Sequence, residues 1–138
     1  MRALLDTDVI LDLLLDRAGF AEAAAALWEA GEQARFEGYI SALTPVNVYY
    51  IARKLKGADT ARQAVAELLA AWRVCPLDVM VLQSALALPL SDYEDAVQHA
   101  SATANQLDAI ITRNREDYRG ATLPVYSPTD FLAQLPPR

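Results

Sequence analysis

The chain has 138 residues, 54% of them hydrophobic, with 18 acidic against 12 basic side chains, one cysteine and one histidine. A chain of this length buries roughly two thirds of the surface it exposes when unfolded, so a core forms without disulfides or structural zinc. Cys75 alone excludes an internal disulfide, and His99 alone excludes a multi-histidine metal site and confines any Ser-His-Asp or Cys-His chemistry to one residue.

What remains is carboxylate chemistry. The longest apolar stretches, 79–82 and 85–90, fall far short of the ~20 residues that cross a bilayer. Asp6, Asp8 and Asp12 interrupt what would be the apolar part of a secretory signal, so the expected location is the cytoplasm. A net charge of -6 opposes general attraction to a polyanion. It does not exclude a nucleic acid, because basic residues gather locally and a bound metal inverts the local field.

No linker, repeat or low-complexity tract divides the chain, which reads as one domain over residues 1–138. Residues 3–5 form a short apolar run ending in Asp6, the pattern of a buried strand that presents an acid at its carboxyl end. Thr7 or Asp8 caps a short helix to Leu15, and the alanine-rich stretch 20–34 gives a second helix ending near Gly31. Residues 38–42 read as a strand, followed by a helix with Thr44 as cap and Pro45 in first position, stopped by Gly57. Asp59 or Thr60 caps the next helix, to Trp72, and 74–77 read as a short strand.

Asp78 starts a helix to about Leu88, and Ser91 or Asp92 caps another to about Gln106. Strands follow at 109–112 and 123–126, and Pro128 opens a terminal helix. This alternation predicts a parallel-rich sheet with helices on both faces and its site at the carboxyl ends of the strands. Asp6 follows the first strand, and Asn114 and Asp117 follow the strand at 109–112.

Acids recur at Asp6, Asp8 and Asp12, at Asp92, Glu94 and Asp95, and at Asp108. Two carboxylates about 4 Å apart repel by on the order of 4 kcal/mol at an effective dielectric near 20, so three in one site require a cation or protons. Oxygen ligands without histidine or thiolate favour Mg²⁺ or Mn²⁺, and metal-assisted phosphodiester hydrolysis follows as a hypothesis.

Four stretches resemble the PIN-domain family, and more closely its bacterial VapC-type toxins: LLDTDVILDLLL (4–15), YISALTPVNVYYIARK (39–54), LSDYEDAVQHASA (90–102), and LDAIITRNREDY (107–118) with LPVYSPTDFL (123–132). They lie in the family's order and span nearly the whole chain. The resemblance implies a three-layer α/β/α fold with a mostly parallel central sheet. It also implies a metal-dependent ribonuclease that is the toxin of a toxin-antitoxin pair, with a small antitoxin and often a homodimer. By the same resemblance Asp6, Asp95 and Asp108 fall on metal-binding acids, Asp8 on a neighbouring polar position, and Asn114 and Asp117 in the loop containing Thr112, Arg113 and Asn114. Asn47 stands where many relatives carry a glutamate, which lowers the expected charge at that position.

The Thr7, Ser41 and Thr112 hydroxyls are candidate supports for the acids. Arg53, Lys54 and Lys56, or Arg113, Arg115 and Arg119, are candidates for holding an RNA backbone. Simpler readings stand beside these: Asp92 as a helix cap, Asp12 and Asp16 on solvated faces, Glu94 turned away from Asp95, and His99 as a partly buried hydrogen-bonding residue. Trp28, Tyr49, Tyr50 and Trp72 read as packing residues and Cys75 as core. The basic triplet 53, 54 and 56 also suits a helix end. The rival functions are an inactive PIN-like binding module and a phosphate receiver, although a receiver ordinarily needs a lysine where this chain offers arginines.

Overall fold

The computed structural model describes residues 1–137. Five strands, β1 (Arg2–Leu5), β2 (Glu37–Ser41), β3 (Arg73–Cys75), β4 (Ala109–Ile111) and β5 (Val125–Tyr126), alternate with seven α-helices. The helices are α1 (Thr7–Leu14), α2 (Ala21–Glu32), α3 (Leu43–Lys56), α4 (Ala58–Ala71), α5 (Val79–Leu86), α6 (Tyr93–Ala104) and α7 (Pro128–Gln134). All strand pairs are parallel, in the order β3-β2-β1-β4-β5, with Ala3 opposite Ala109 and Leu5 opposite Ile111.

Alternation along the strands builds two cores. Ala3, Leu5, Ile40, Ala109 and Ile111 pack on one face with Leu27, Val48, Leu68 and Phe131 of α2, α3, α4 and α7. Leu4, Tyr39 and Ile110 point the other way, toward Ala102 of α6 and Leu107. The expected three-layer arrangement is therefore present, with a sheet that is wholly parallel. Trp72 fills the space beside Gly38, where a Cβ would stand 2.2 Å from its ring, so that strand position accepts only glycine without repacking. Leu68 is fully buried whereas neighbouring Leu69 is half exposed, so α4 turns one face to the core and another outward.

Boundaries shift for local reasons. α3 begins at Leu43, whose N–H donates to Ser41 Oγ at 3.1 Å, while Thr44 bonds the Thr7 hydroxyl instead of capping. α4 begins directly after Gly57, whose φ of 91° suits glycine. β3 ends at Cys75 because Pro76 has no N–H to continue the ladder. Asp92 caps α6 as expected, accepting from Asp95 N at 3.0 Å. Among the described residues no helix is long and apolar enough to cross a membrane.

Candidate functional site

The strand order reverses between β1 and β4, and the crevice beyond their carboxyl ends is where an α/β sheet binds ligands. Asp6 leaves β1 into that crevice. It occupies the N-cap position of α1, yet its side chain makes no cap bond. Its carboxylate instead accepts from Gln98 Nε2 at 3.0 Å and Thr112 Oγ1 at 2.8 Å. Gln98 Nε2 also donates to Tyr118 Oη at 3.1 Å. Asp6, Gln98, Thr112 and Tyr118 are all buried, so helix α6, strand β4 and the following loop jointly fix one carboxylate.

Around Asp6 the other acids form a rim. Asp95 is the third residue of α6, and burial, then the charges of Asp6, Asp92 and Asp117, push its carboxyl up to about 7. Asp8 is raised as well, by burial first and by Asp6 next; it accepts from Asn114 Nδ2 at 3.2 Å and Thr112 Oγ1 at 3.4 Å. Glu94 accepts from Asn47 Nδ2 at 2.7 Å, and burial with the charges of Asp92 and Asp6 raises it too. These shifts share two causes, partial burial and the charge of neighbouring acids.

The donor chemistry fits a hard divalent cation, since every candidate ligand is an oxygen. Gln98 adds a buried carbonyl, Oε1, that has no hydrogen-bond partner among the described residues although its amide nitrogen holds Asp6. Among the described residues, no three acidic, histidine or cysteine side chains already close into a cage for an ion. The acids come from the β1–α1 junction, α6 and the 3₁₀ turn after β4.

Asp108 requires a correction. It precedes β4, accepts from Arg2 N at 2.8 Å, and donates its own N–H to Arg2 O at 2.7 Å. That puts it at the amino ends of β1 and β4, about four residues or 13 Å along the strands from Asp6. A carboxylate there cannot share an ion with Asp6 and Asp95. Asp117, in the 3₁₀ turn Arg115–Tyr118 that follows β4, lies close enough for its charge to act on Asp95.

Other expectations divide similarly. Thr112 does support Asp6, but Thr7 bonds Thr44 and Ser41 serves the entry to α3. Arg113 Nε pairs with Asp12 Oδ2 at 3.2 Å, and its guanidinium lies 4.2 Å from the Phe20 ring centroid. Asp12, expected on a solvated face, is 2% exposed and also meets Arg17. Glu94, expected to turn away from Asp95, is exposed and bonds Asn47 on α3. Arg115 pairs with exposed Asp130, and Arg119 with Glu116. Arg53 and Lys54 are exposed in the last turn of α3, about 9–11 Å along the helix from Asn47.

His99 is almost wholly buried and kept neutral by that burial; its Nε2 accepts from Thr122 N at 3.0 Å, anchoring the loop before β5. Gln98 and Tyr118 are the site residues that sequence reasoning passed over. Their signal was position, four residues past Glu94 on α6 and one past Asp117, each on the face or loop that returns to Asp6.

A family model described as PIN domain matches residues 2–116. Comparison with curated proteins gives no match. Among solved structures, a toxin-antitoxin complex from Klebsiella pneumoniae is 25% identical, with 91% of this chain and 97% of that one covered and a TM-score of 0.68. DNA-bound VapBC from Salmonella typhimurium is 14% identical, with coverage of 93% and 98% and a TM-score of 0.73. Mycobacterium tuberculosis VapC20, a toxin that cleaves the sarcin-ricin loop, is 15% identical, with coverage of 78% and 86% and a TM-score of 0.64.

Proposed function

The chain belongs to the PIN domain family, and from that premise we propose that it is a cytoplasmic, divalent-metal-dependent endoribonuclease, the toxin of a toxin-antitoxin pair. The observation that carries this reading is the clamping of Asp6 at the sheet's switch point by Gln98 and Thr112, with Asp95 beside it. An acid used merely as a helix cap would bond the backbone of α1, and Asp6 does not.

Asp6 and Asp95 would hold Mg²⁺ or Mn²⁺, with Asp117 and Asp8 at the rim. When bound, the ion supplies Lewis acidity toward a phosphate and a water and offsets the negative charge of both. The protein's own part is positional. Thr112 and Gln98 each occupy one oxygen of Asp6 and prevent the carboxylate from turning. Tyr118 closes the back of the pocket, its hydroxyl held in the neutral form by burial and by Asp6. Asn114 steadies Asp8 through a 3.2 Å bond. No protein nucleophile is needed, which agrees with the neutral, loop-bound His99 and with a Cys75 thiol that burial pushes up to about 11.

A small antitoxin and a homodimeric state belong to the same proposal. They rest on the complexes to which the chain is similar and on exposed Val46, Tyr50 and Leu69, which border an apolar groove between α3 and α4. The test is cleavage of a structured RNA in Mg²⁺, Mn²⁺ or EDTA. Ion-dependent cleavage lost in Asp6→Asn and Asp95→Asn supports the reading. RNA binding without cleavage in any of these ions overturns it in favour of a binding module.

A further inference from the structure

Asn47 on α3 donates to Glu94 on α6 through a 2.7 Å bond. The two helices pack against opposite faces of the sheet, α3 through Val48 and α6 through Ala102, so the contact arches over the sheet's carboxyl edge, where Asp6 lies. Glu94 and Gln98 are four residues apart on one face of α6, and Gln98 is already committed to Asp6. That face is therefore turned toward the crevice.

A glutamate in an exposed first helical turn, repelled by Asp92 and Asp6, gains by swinging into solvent. Asn47 keeps it in. The bond to a carboxylate is charge-assisted and occupies Oε1, leaving Oε2 for another partner. A second, independent feature points to the same place: Gln98, 1% exposed, leaves its carbonyl oxygen unpartnered beside Asp6. A buried acceptor without a donor, next to a carboxylate tethered among like charges, is an arrangement completed by a cation or its water.

We propose that Glu94 is a further carboxylate of the divalent-cation site, facing Asp6 and Asp95, and that Asn47 is the positioning residue that holds it there. This rests on reading the crevice as a cation site. It also explains how α3 contributes to the pocket without carrying an acid: it supplies the amide that directs an acid from α6.

The test is Mn²⁺ binding to the full chain, measured by titration calorimetry and by the loss of free Mn²⁺ signal in electron paramagnetic resonance. Glu94→Gln keeps an oxygen for the Asn47 bond and removes only the charge, so it separates ligation from a structural tie. The expected result is a weakening of at least about ten-fold in Glu94→Gln and Asn47→Ala, with Glu67→Gln on the outer face of α4 unchanged. The pair Asn47→Asp with Glu94→Asn, which reverses the charge and the amide, is expected to recover part of the loss. Wild-type affinity in Glu94→Gln, together with lost binding in Asp6→Asn and Asp95→Asn, overturns the role of Glu94 while the site stands. Equal Mn²⁺ affinity in wild type, Asp6→Asn and Asp95→Asn removes the cation site itself and this proposal with it.

Discussion

Replacing Asp6 by asparagine is expected to abolish cleavage yet make the metal-free fold more stable at alkaline than at acid pH, relative to wild type. The charge of Asp6 helps to raise the carboxyls at Asp8, Asp95 and Glu94. A carboxyl whose affinity for protons is higher in the folded chain imposes no cost below about pH 4, where both states are protonated. As pH rises toward 7, the unfolded chain ionises freely while the folded one retains protons, so stability falls until the group has titrated in both states.

The shift at Asp95, from 3.8 to about 7, would correspond to about 4 kcal/mol if fully counted. Burial is its first cause and the group is partly solvated, so the share due to Asp6 is on the order of 1 kcal/mol, with a similar share at Asp8. Against this, Asp6→Asn weakens the bonds from Gln98 and Thr112 by about 1 kcal/mol each, a loss independent of pH over this range. At pH 5 the variant is therefore equal to or less stable than wild type. Between pH 5 and pH 8 the difference moves in its favour by about 2 kcal/mol, or about 6–7 °C in Tm for a chain of this length. Thermal unfolding in EDTA at the two pH values measures it. A variant-minus-wild-type difference that stays flat with pH refutes the crowding of charge around Asp6.

Asp108→Asn is expected to leave Mn²⁺ affinity and cleavage at the wild-type level and to lower stability by no more than about 1 kcal/mol, because asparagine can still accept from Arg2 N; loss of metal binding would return Asp108 to the site. Arg113→Ala is expected to destabilise by about 3 kcal/mol in urea unfolding, since it strands the buried Asp12 carboxylate with Arg17 alone and removes the contact with Phe20. RNA affinity per folded molecule should be unchanged, and a selective loss of RNA binding without destabilisation would show that Arg113 serves the substrate.

The placement of Asp6 was legible because a short apolar run ending in an acid has one natural position in a parallel sheet. The same logic, applied to Asp108, would have excluded it: an acid that precedes a strand lies at the opposite end from an acid that follows one. Its family-like spacing overrode that geometry. The 100° turn between adjacent helical residues separates Glu94 from Asp95, and nothing in the sequence shows that the long Glu94 side chain reaches Asn47 on α3. The sequence reads Asp12 as a solvated charge and Arg113 as an RNA-backbone candidate, since it shows no sign of which charged residues meet under a loop. Gln98 was invisible for a related reason. A polar residue amid alanines on α6 announces burial against a partner only once the partner, Asp6, is known to return to that face.

The most direct measurement is anomalous diffraction from crystals of the full chain grown with Mn²⁺. The account predicts a manganese peak in the crevice between Asp6 and Asp95, with Glu94 or Asp117 completing the contacts, and no peak in Asp6→Asn crystals. A fully loaded wild-type crystal with no peak there, or with its ion held at Asp108 beyond the amino ends of the strands, would contradict it.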